Sequence, residues 1–383
     1  MKKFILSLLF LAVGCLAFAE NYEELTKNFT TGKAAIQSMS VLTFGPEGIL
    51  FVGDSKGGNI YALDLNDREK NESTERFAME DVETKLGSAL GVGPKEVLIH
   101  DMAVNPISQN IYLAVSRADA MQLGYWRMAN DIANATILIK IKPDGSMEEV
   151  SLESIYHSYA EVPKVIEPGT ESWRKSDYRT DAITDIAYDD RKLYVAGLSN
   201  EEFASALRIM DFPFNKKTSY STIEVYHVAH KKWETEAPIR TLVPYTMNGQ
   251  KYILAGYTCT PFVSIPVNDL KPGKHVVSKT LAEFGSGNMP IDIISYKSGD
   301  QPMLLMSNSN KTLIRINPAK IDVGEKGLTE PMPEGAYTIG LDHDVLSGQG
   351  ITQIDNLNSN NILLLQRQPN GTLALRSMRI RRS

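Results

Sequence analysis

The chain has 383 residues, 43% of them hydrophobic and 22% charged, with a formal net charge of −6. A mildly acidic chain is not built to hold nucleic acid, and its length permits a core large enough to stand without covalent staples. Only two cysteines are present, Cys15 and Cys259, which rules out a disulfide framework.

Residues 1–19 begin with Lys2 and Lys3, continue through an apolar run from Phe4 to Ala12, and end on Ala17-Phe18-Ala19. A basic start, a short apolar centre and a small-x-small exit predict a secretory signal peptide. The expectation is an exported chain, periplasmic or extracellular, whose mature part begins at Glu20. The run is too short for a transmembrane helix, and no later stretch is long enough. Ala12-Val13-Gly14-Cys15 resembles a loose lipoprotein box, so a lipid anchor at Cys15 is the alternative.

From residue 40 onward one pattern recurs six times. A short strand-like run comes first: 40–44, 101–104, 185–188, 241–245, 292–296 and 352–355. Next is a turn rich in Gly, Asn and Asp, residues that accept positive φ or bond back to the backbone. A nearly continuous apolar run follows: 48–55, 110–117, 192–199, 251–258, 303–309 and 361–367. A third run follows each, at 59–65, 136–143, 206–213, 262–269, 312–319 and 372–380. Fainter fourth runs lie at 76–81, 148–154, 223–228, 276–282 and 336–341. Apolar runs that do not alternate mean sheets buried on both faces. Repeated four-stranded antiparallel sheets of that kind predict an all-β, six-bladed β-propeller spanning 20–383 as a single domain. A seventh blade in 153–182 is disfavoured because that stretch lacks a paired apolar strand. The sixth repeat runs out before a fourth strand, so an N-terminal strand, from about Gly32 to Gln37, is expected to close the ring.

The stretch FGPEGILFVGDSKGGNIYALDL (44–65) resembles a blade of the NHL, SMP-30 and YncE-like propellers. The resemblance implies fold and no single activity, since those families include binding modules, scaffolds, lactonases and lyases.

In such blades the first strands start where the second strands end, so both should crowd one mouth of the channel. There the repeat would gather Asp101, Asp185 and Asp292, with His100 and Arg240 just upstream of two first strands. Converging carboxylates repel unless a cation, an arginine or protons offset them. They suit a Ca²⁺ or other divalent ion; alternatively each bonds backbone amides of its own blade. Cys259 should face the same mouth, as a reactive or metal-binding thiol or as a small buried hydrophobe. The longest departures from the repeat, 66–99, 117–135 and 153–182, are expected there too. They carry Tyr125, Trp126, Arg127, Trp173, Arg174 and Tyr178, residue types suited to a contact surface. His343 is a further candidate for the mouth. His227 and His230, three apart on a presumed strand, should point to opposite faces and not chelate together.

Two functions follow as expectations. The first is a binding or scaffold module taking a protein, glycan or small-molecule ligand at the mouth. The alternative is a metal-dependent hydrolase or lyase, with Asp101, Asp185 and Asp292 holding the ion and His100 as base. Fold alone does not choose between them.

Overall fold

A computed structural model describes residues 21–117, 135–171 and 177–380, apart from positions 216, 259, 286, 323 and 325. Six small sheets, antiparallel but for one outer strand of blade three, form a closed ring, each with its first strand innermost. The first three strands of every blade fall where the repeat predicts. Blade one has Met39–Phe44, Ile49–Asp54 and Asn59–Asp64; blade two has Val97–Val104, Ile111–Arg117 and Ile137–Ile141. Asp185–Asp189, Lys192–Leu198 and Ser205–Asp211 make blade three; Ile239–Met247, Gln250–Tyr257 and Pro261–Pro266 make blade four. Pro290–Ser298, Gln301–Asn308 and Leu313–Ile316 build blade five, and Ile351–Asn358, Asn361–Arg367 and Leu373–Arg379 build blade six. The hairpin tips use the left-handed backbone the turn residues suggested, as at Glu47, Gln109, Asp190, Asn248 and Gly299.

Second strands are apolar throughout because alternate residues feed different blade interfaces. Ile49 and Phe51 pack with Ile186, Leu193 and Val195 of blade three, whereas Leu50 and Val52 pack with Ala103, Tyr112 and Ala114 of blade two. Where inner strands press closest, the second strands carry glycine. A Cβ on Gly53 would lie 2.8 Å from Ile183 of the segment entering blade three, and one on Gly256 2.9 Å from Pro290 of blade five.

Each interface has its own apolar cluster, and these clusters reveal the blade order. Blade one sits between two and three; three joins four, four joins five, five joins six, and six joins two. Blade two therefore lies on the opposite side of blade one from blade three. The chain makes three strands of blade one, crosses beneath blade two, and builds that blade on the far side. It then returns to give blade one its fourth strand, Ile155–Glu161, paired to Asn59–Asp64.

The crossing is held by a buried carboxylate. Ser108 Oγ and Tyr112 OH each donate to Asp67 at 2.7 Å, and Asn110 Nδ2 at 2.9 Å. Burial works to raise this acid, yet the Tyr112, Asn110 and Ser108 hydrogen bonds prevail and hold it below the usual carboxylate range. Further along, Asn361 and Asn358 of blade six donate to the carbonyls of Thr74 and Glu75. Ala78–Met79 then pairs with Leu375 and Arg376 as the fourth strand of blade six. A helix, Val82–Leu90, leads into blade two; Asp81 caps its start, Gly91 in left-handed backbone ends it, and Val82, Leu86 and Leu90 bury its apolar face.

Several fourth strands thus differ from expectation. Residues 76–81 complete blade six, not blade one, and 32–37 do not complete blade six: Thr30–Gly32 lies outside Ile155–Glu161 on blade one. Among its described residues, the stretch 153–182 holds blade one's fourth strand and no seventh blade. Of the stretch 336–341, Ile339–Gly340 extends blade four, and His343–Leu346 edges blade five. The stretch 276–282 is divided: Lys274–Val277 runs parallel to blade three's Thr218–His227, while Lys279–Glu283 belongs to blade four. Outer strands this short carry no periodicity of their own, so the connections decide where they pair.

Candidate functional site

Where the inner strands enter the channel, five of them bulge: between Met39 and Val41, Ile99 and Asp101, Ile239 and Thr241, Pro290 and Asp292, and Ile351 and Gln353. A bulge re-aims the side chains beside it. A cavity of about 230 Å³ lies on the axis, lined by His100, Asp101, Asp185, Arg240, Asp292 and Asp355 among others. The structure therefore brings Asp101, Asp185, Asp292, His100 and Arg240 together, as the repeat implied.

Each aspartate spends an oxygen on a neighbouring blade. The backbone N–H of Leu42 donates to Asp101 Oδ2 at 2.6 Å, and that of Leu242 to Asp185 Oδ2 at 2.6 Å. Ile354 N–H donates to Asp292 at 2.9 Å, and Val104 N–H donates to Asp355 at 2.7 Å. Three also accept from the next residue of their own strand, Met102 N–H to Asp101, Ile186 N–H to Asp185 and Asn356 N–H to Asp355. The carboxylates are struts between blades, a wider version of the local bonding expected. Asp355 escaped the sequence reading because Gln353 occupied the position taken as equivalent. It lies two residues further along the strand and makes the same kind of bond.

Burial dominates their protonation. It pushes Asp101 up to about 8 against the Leu42 and Met102 hydrogen bonds, with Asp185 and Asp355 adding repulsion. Asp185 is pushed to about 7 and Asp355 to about 6 by the same cause. Asp292 is raised well above the ordinary range by burial and then by Asp101. Near neutral pH the axis therefore carries fewer negative charges than its four carboxyls suggest.

His100 is buried and its imidazole is pulled down to about 4 by desolvation; its Nε2 lies 2.7 Å from Ser116 Oγ. Arg240 donates to Asp181, 3.0 Å away in the segment before blade three. Of the stretch 153–182 expected at this mouth, Ile155–Glu161 is a blade strand, and the described parts of the rest, 162–171 and 177–182, lie at this end. Arg179 pins them by donating to the carbonyls of Lys56 and Ile166, and Arg208 by donating to those of Pro163, Lys164, Ala182 and Leu198. The stretch 66–77 is at the opposite end, because it leaves from the foot of a third strand. Tyr125, Trp126, Arg127, Trp173, Arg174 and Cys259 fall outside the described residues.

Two histidine expectations are corrected. His343 is on blade five's outer strand, its ring 4.7 Å from Phe284, away from the channel. His227 and His230 do meet, with ring centroids 3.8 Å apart. The strand ends at His227, and a turn through Lys231 at φ 59° swings His230 back over it.

Among the described residues no helix is long and apolar enough to cross a membrane. The chain matches no known protein family and no curated protein. Among solved structures it is similar to BBS1N in a mercury-soaked complex with ARL6DN, at 13% identity and TM-score 0.32, over 88% of this chain and 76% of that one. It is also similar to a putative oxidoreductase (glucose dehydrogenase) from Thermus thermophilus, at 11% identity and TM-score 0.37, over 91% of this chain and 100% of that one. The chain is a six-bladed β-propeller with a non-sequential blade order.

Proposed function

We propose that this propeller is an exported, non-catalytic binding module that takes a protein, glycan or small-molecule ligand at the channel end where the inner strands begin. The observation that carries the reading is the use of all four axial aspartates as blade-to-blade struts. Carboxyls committed to backbone amides and raised by burial suit a rigid frame better than a reaction centre. His100, neutral and held against Ser116, is poorly placed to take a proton from a substrate. Insertions on one end of a rigid wheel are the usual place for recognition. The test is capture of partners by the immobilised full chain, with residues 118–134 intact or replaced by a short Gly-Ser linker. Loss of specific capture on replacement is the expected result; unchanged capture would remove those residues from the proposal.

A second reading rests on the carboxylate repulsion that adds to burial at the axis, from Asp101 on Asp292 and from Asp185 and Asp355 on Asp101. A Ca²⁺ or another divalent ion would relieve it, as a hydrolase or lyase of the lactonase-like kind requires. Metal content of the native protein beside an Asp101→Ala, Asp292→Ala double variant tests this; identical content in both defeats it. Export is tested on the mature product, which should begin at Glu20; a lipidated terminus at Cys15 would replace that start.

A further inference from the structure

We propose that His227, His230 and Glu234 form a zinc site on the blade three–blade four rim, with Glu283 as the outer carboxylate that orients His227. The ligand atoms of the first three lie within 4.8 Å of one another. His227 Nδ1 is 2.9 Å from Glu234 Oε2, and His230 Nδ1 is 2.6 Å from Glu234 Oε1. The hairpin pairing Thr218–His227 with Lys232–Glu234 sets this geometry, and Glu283 arrives from the last position of Lys279–Glu283 in blade four. Thr260 Oγ1 fixes Glu283 by donating to Oε1 at 2.9 Å.

The second, independent observation is a pair of orphaned atoms. His227 and Glu283 are 1% and 0% exposed, and His227 Nε2 faces Glu283 Oε2 at 3.6 Å with neither atom hydrogen-bonded. With the Nδ1 proton directed at Glu234, a neutral His227 turns a bare lone pair toward a carboxyl oxygen. A metal on Nδ1 reverses this. Its proton moves to Nε2, where Glu283 accepts it, as outer-shell carboxylates commonly do for metal-bound histidine.

Two imidazoles and a carboxylate select zinc over calcium or magnesium. Zinc–ligand distances of about 2.0–2.2 Å place tetrahedral donors roughly 3.4 Å apart, so the two rings need only open slightly from Glu234. His230 is 44% exposed along its side chain, which leaves the fourth position open to water. Lys232 Nζ, 3.3 Å from Glu234 and mostly exposed, must swing aside. The site shares no residue with the channel.

The test uses the full chain, stripped with a chelator, dialysed and titrated with Zn²⁺ against a chromophoric competitor, with bound metal counted after desalting. One Zn²⁺ per chain is expected. His230→Gln and Glu234→Gln should each weaken binding by at least about 100-fold, and Glu283→Gln by about 10–100-fold. Lys33→Gln, at an exposed ion pair with Glu153 outside both the rim and the channel, should leave it unchanged. Circular dichroism on each variant keeps misfolding apart from ligand loss. Co²⁺ in place of Zn²⁺ should give the visible absorption of a tetrahedral N/O site. No stoichiometric zinc, or wild-type affinity in His230→Gln and Glu234→Gln, would each overturn the proposal and leave two imidazoles merely sharing a carboxylate.

Discussion

Replacing Asp101 with asparagine separates the strut from the charge. The amide oxygen can still accept from Leu42 N–H, 2.6 Å away in the native protein, while no proton can be lost. In the wild type the acid is raised from 3.8 to about 8, so between those values the folded state holds a proton that the unfolded state releases. Folding stability from this group is therefore fullest below pH 4 and declines as pH rises toward 8. Between pH 5 and 9 the formal loss is about 4 kcal/mol, at 1.36 kcal/mol per unit. That figure is a ceiling, because Asp101 is only partly buried and solvent screening reduces the effect. For a chain of this length the unfolding entropy is about 0.8 kcal/mol/K, so the ceiling corresponds to about 5 °C in Tm. The assay is thermal unfolding of both proteins from pH 5 to 9. The wild-type Tm should fall more steeply, with Asp101→Asn overtaking it at alkaline pH. Parallel curves would refute the buried-acid argument. A wild-type curve that falls more steeply but stays above that of Asp101→Asn even at pH 9 would show that the amide fails to replace the strut.

Three further outcomes are expected. Asp67→Ala leaves the Ser108, Asn110 and Tyr112 donors unpaired in a buried pocket and should cost about 3 kcal/mol or more in urea unfolding. Because this acid is depressed, its contribution is present above pH 4 and lost on acidification, so wild type and variant should converge at low pH. Arg208→Met removes the donors to Leu198, Ala182, Pro163 and Lys164, and hydrogen exchange across 162–171 should quicken about tenfold or more, equivalent to about 1.4 kcal/mol. Leu50→Ala, at a side chain buried between blades one and two, should cost about 2–5 kcal/mol in the same unfolding assay and leave blade-four exchange unchanged.

The inner three strands of each blade were legible because burial on two faces writes an unmistakable apolar run, as in Ile49–Asp54 or Ile362–Leu365. The ring order was not. Nothing about Ala78 and Met79 alone says that their partner is Leu375, because the choice is made by polar contacts of the crossing, Asp67 to blade two and Asn361 to Thr74. At the channel, repeat alignment found Asp101, Asp185 and Asp292. It missed Asp355 because equivalence of position gave no hint that a carboxyl two residues further on makes the same bond. His227 and His230 were separated by assuming a continuous strand. Periodicity holds only while the strand does, and Lys231 ends it in left-handed backbone.

The divided first blade governs the order in which the wheel can be assembled as the chain emerges, amino end first. Its outer strand emerges only after blade two is complete, whereas the edge that receives blade six emerges long before its partner. Phe77 waits for Ser377, 300 positions downstream, to donate to its carbonyl. Such distant pairings fold slowly. Trimming the last strand would also bare the early segment clasped against it, so damage at the carboxyl end should be felt near the amino end.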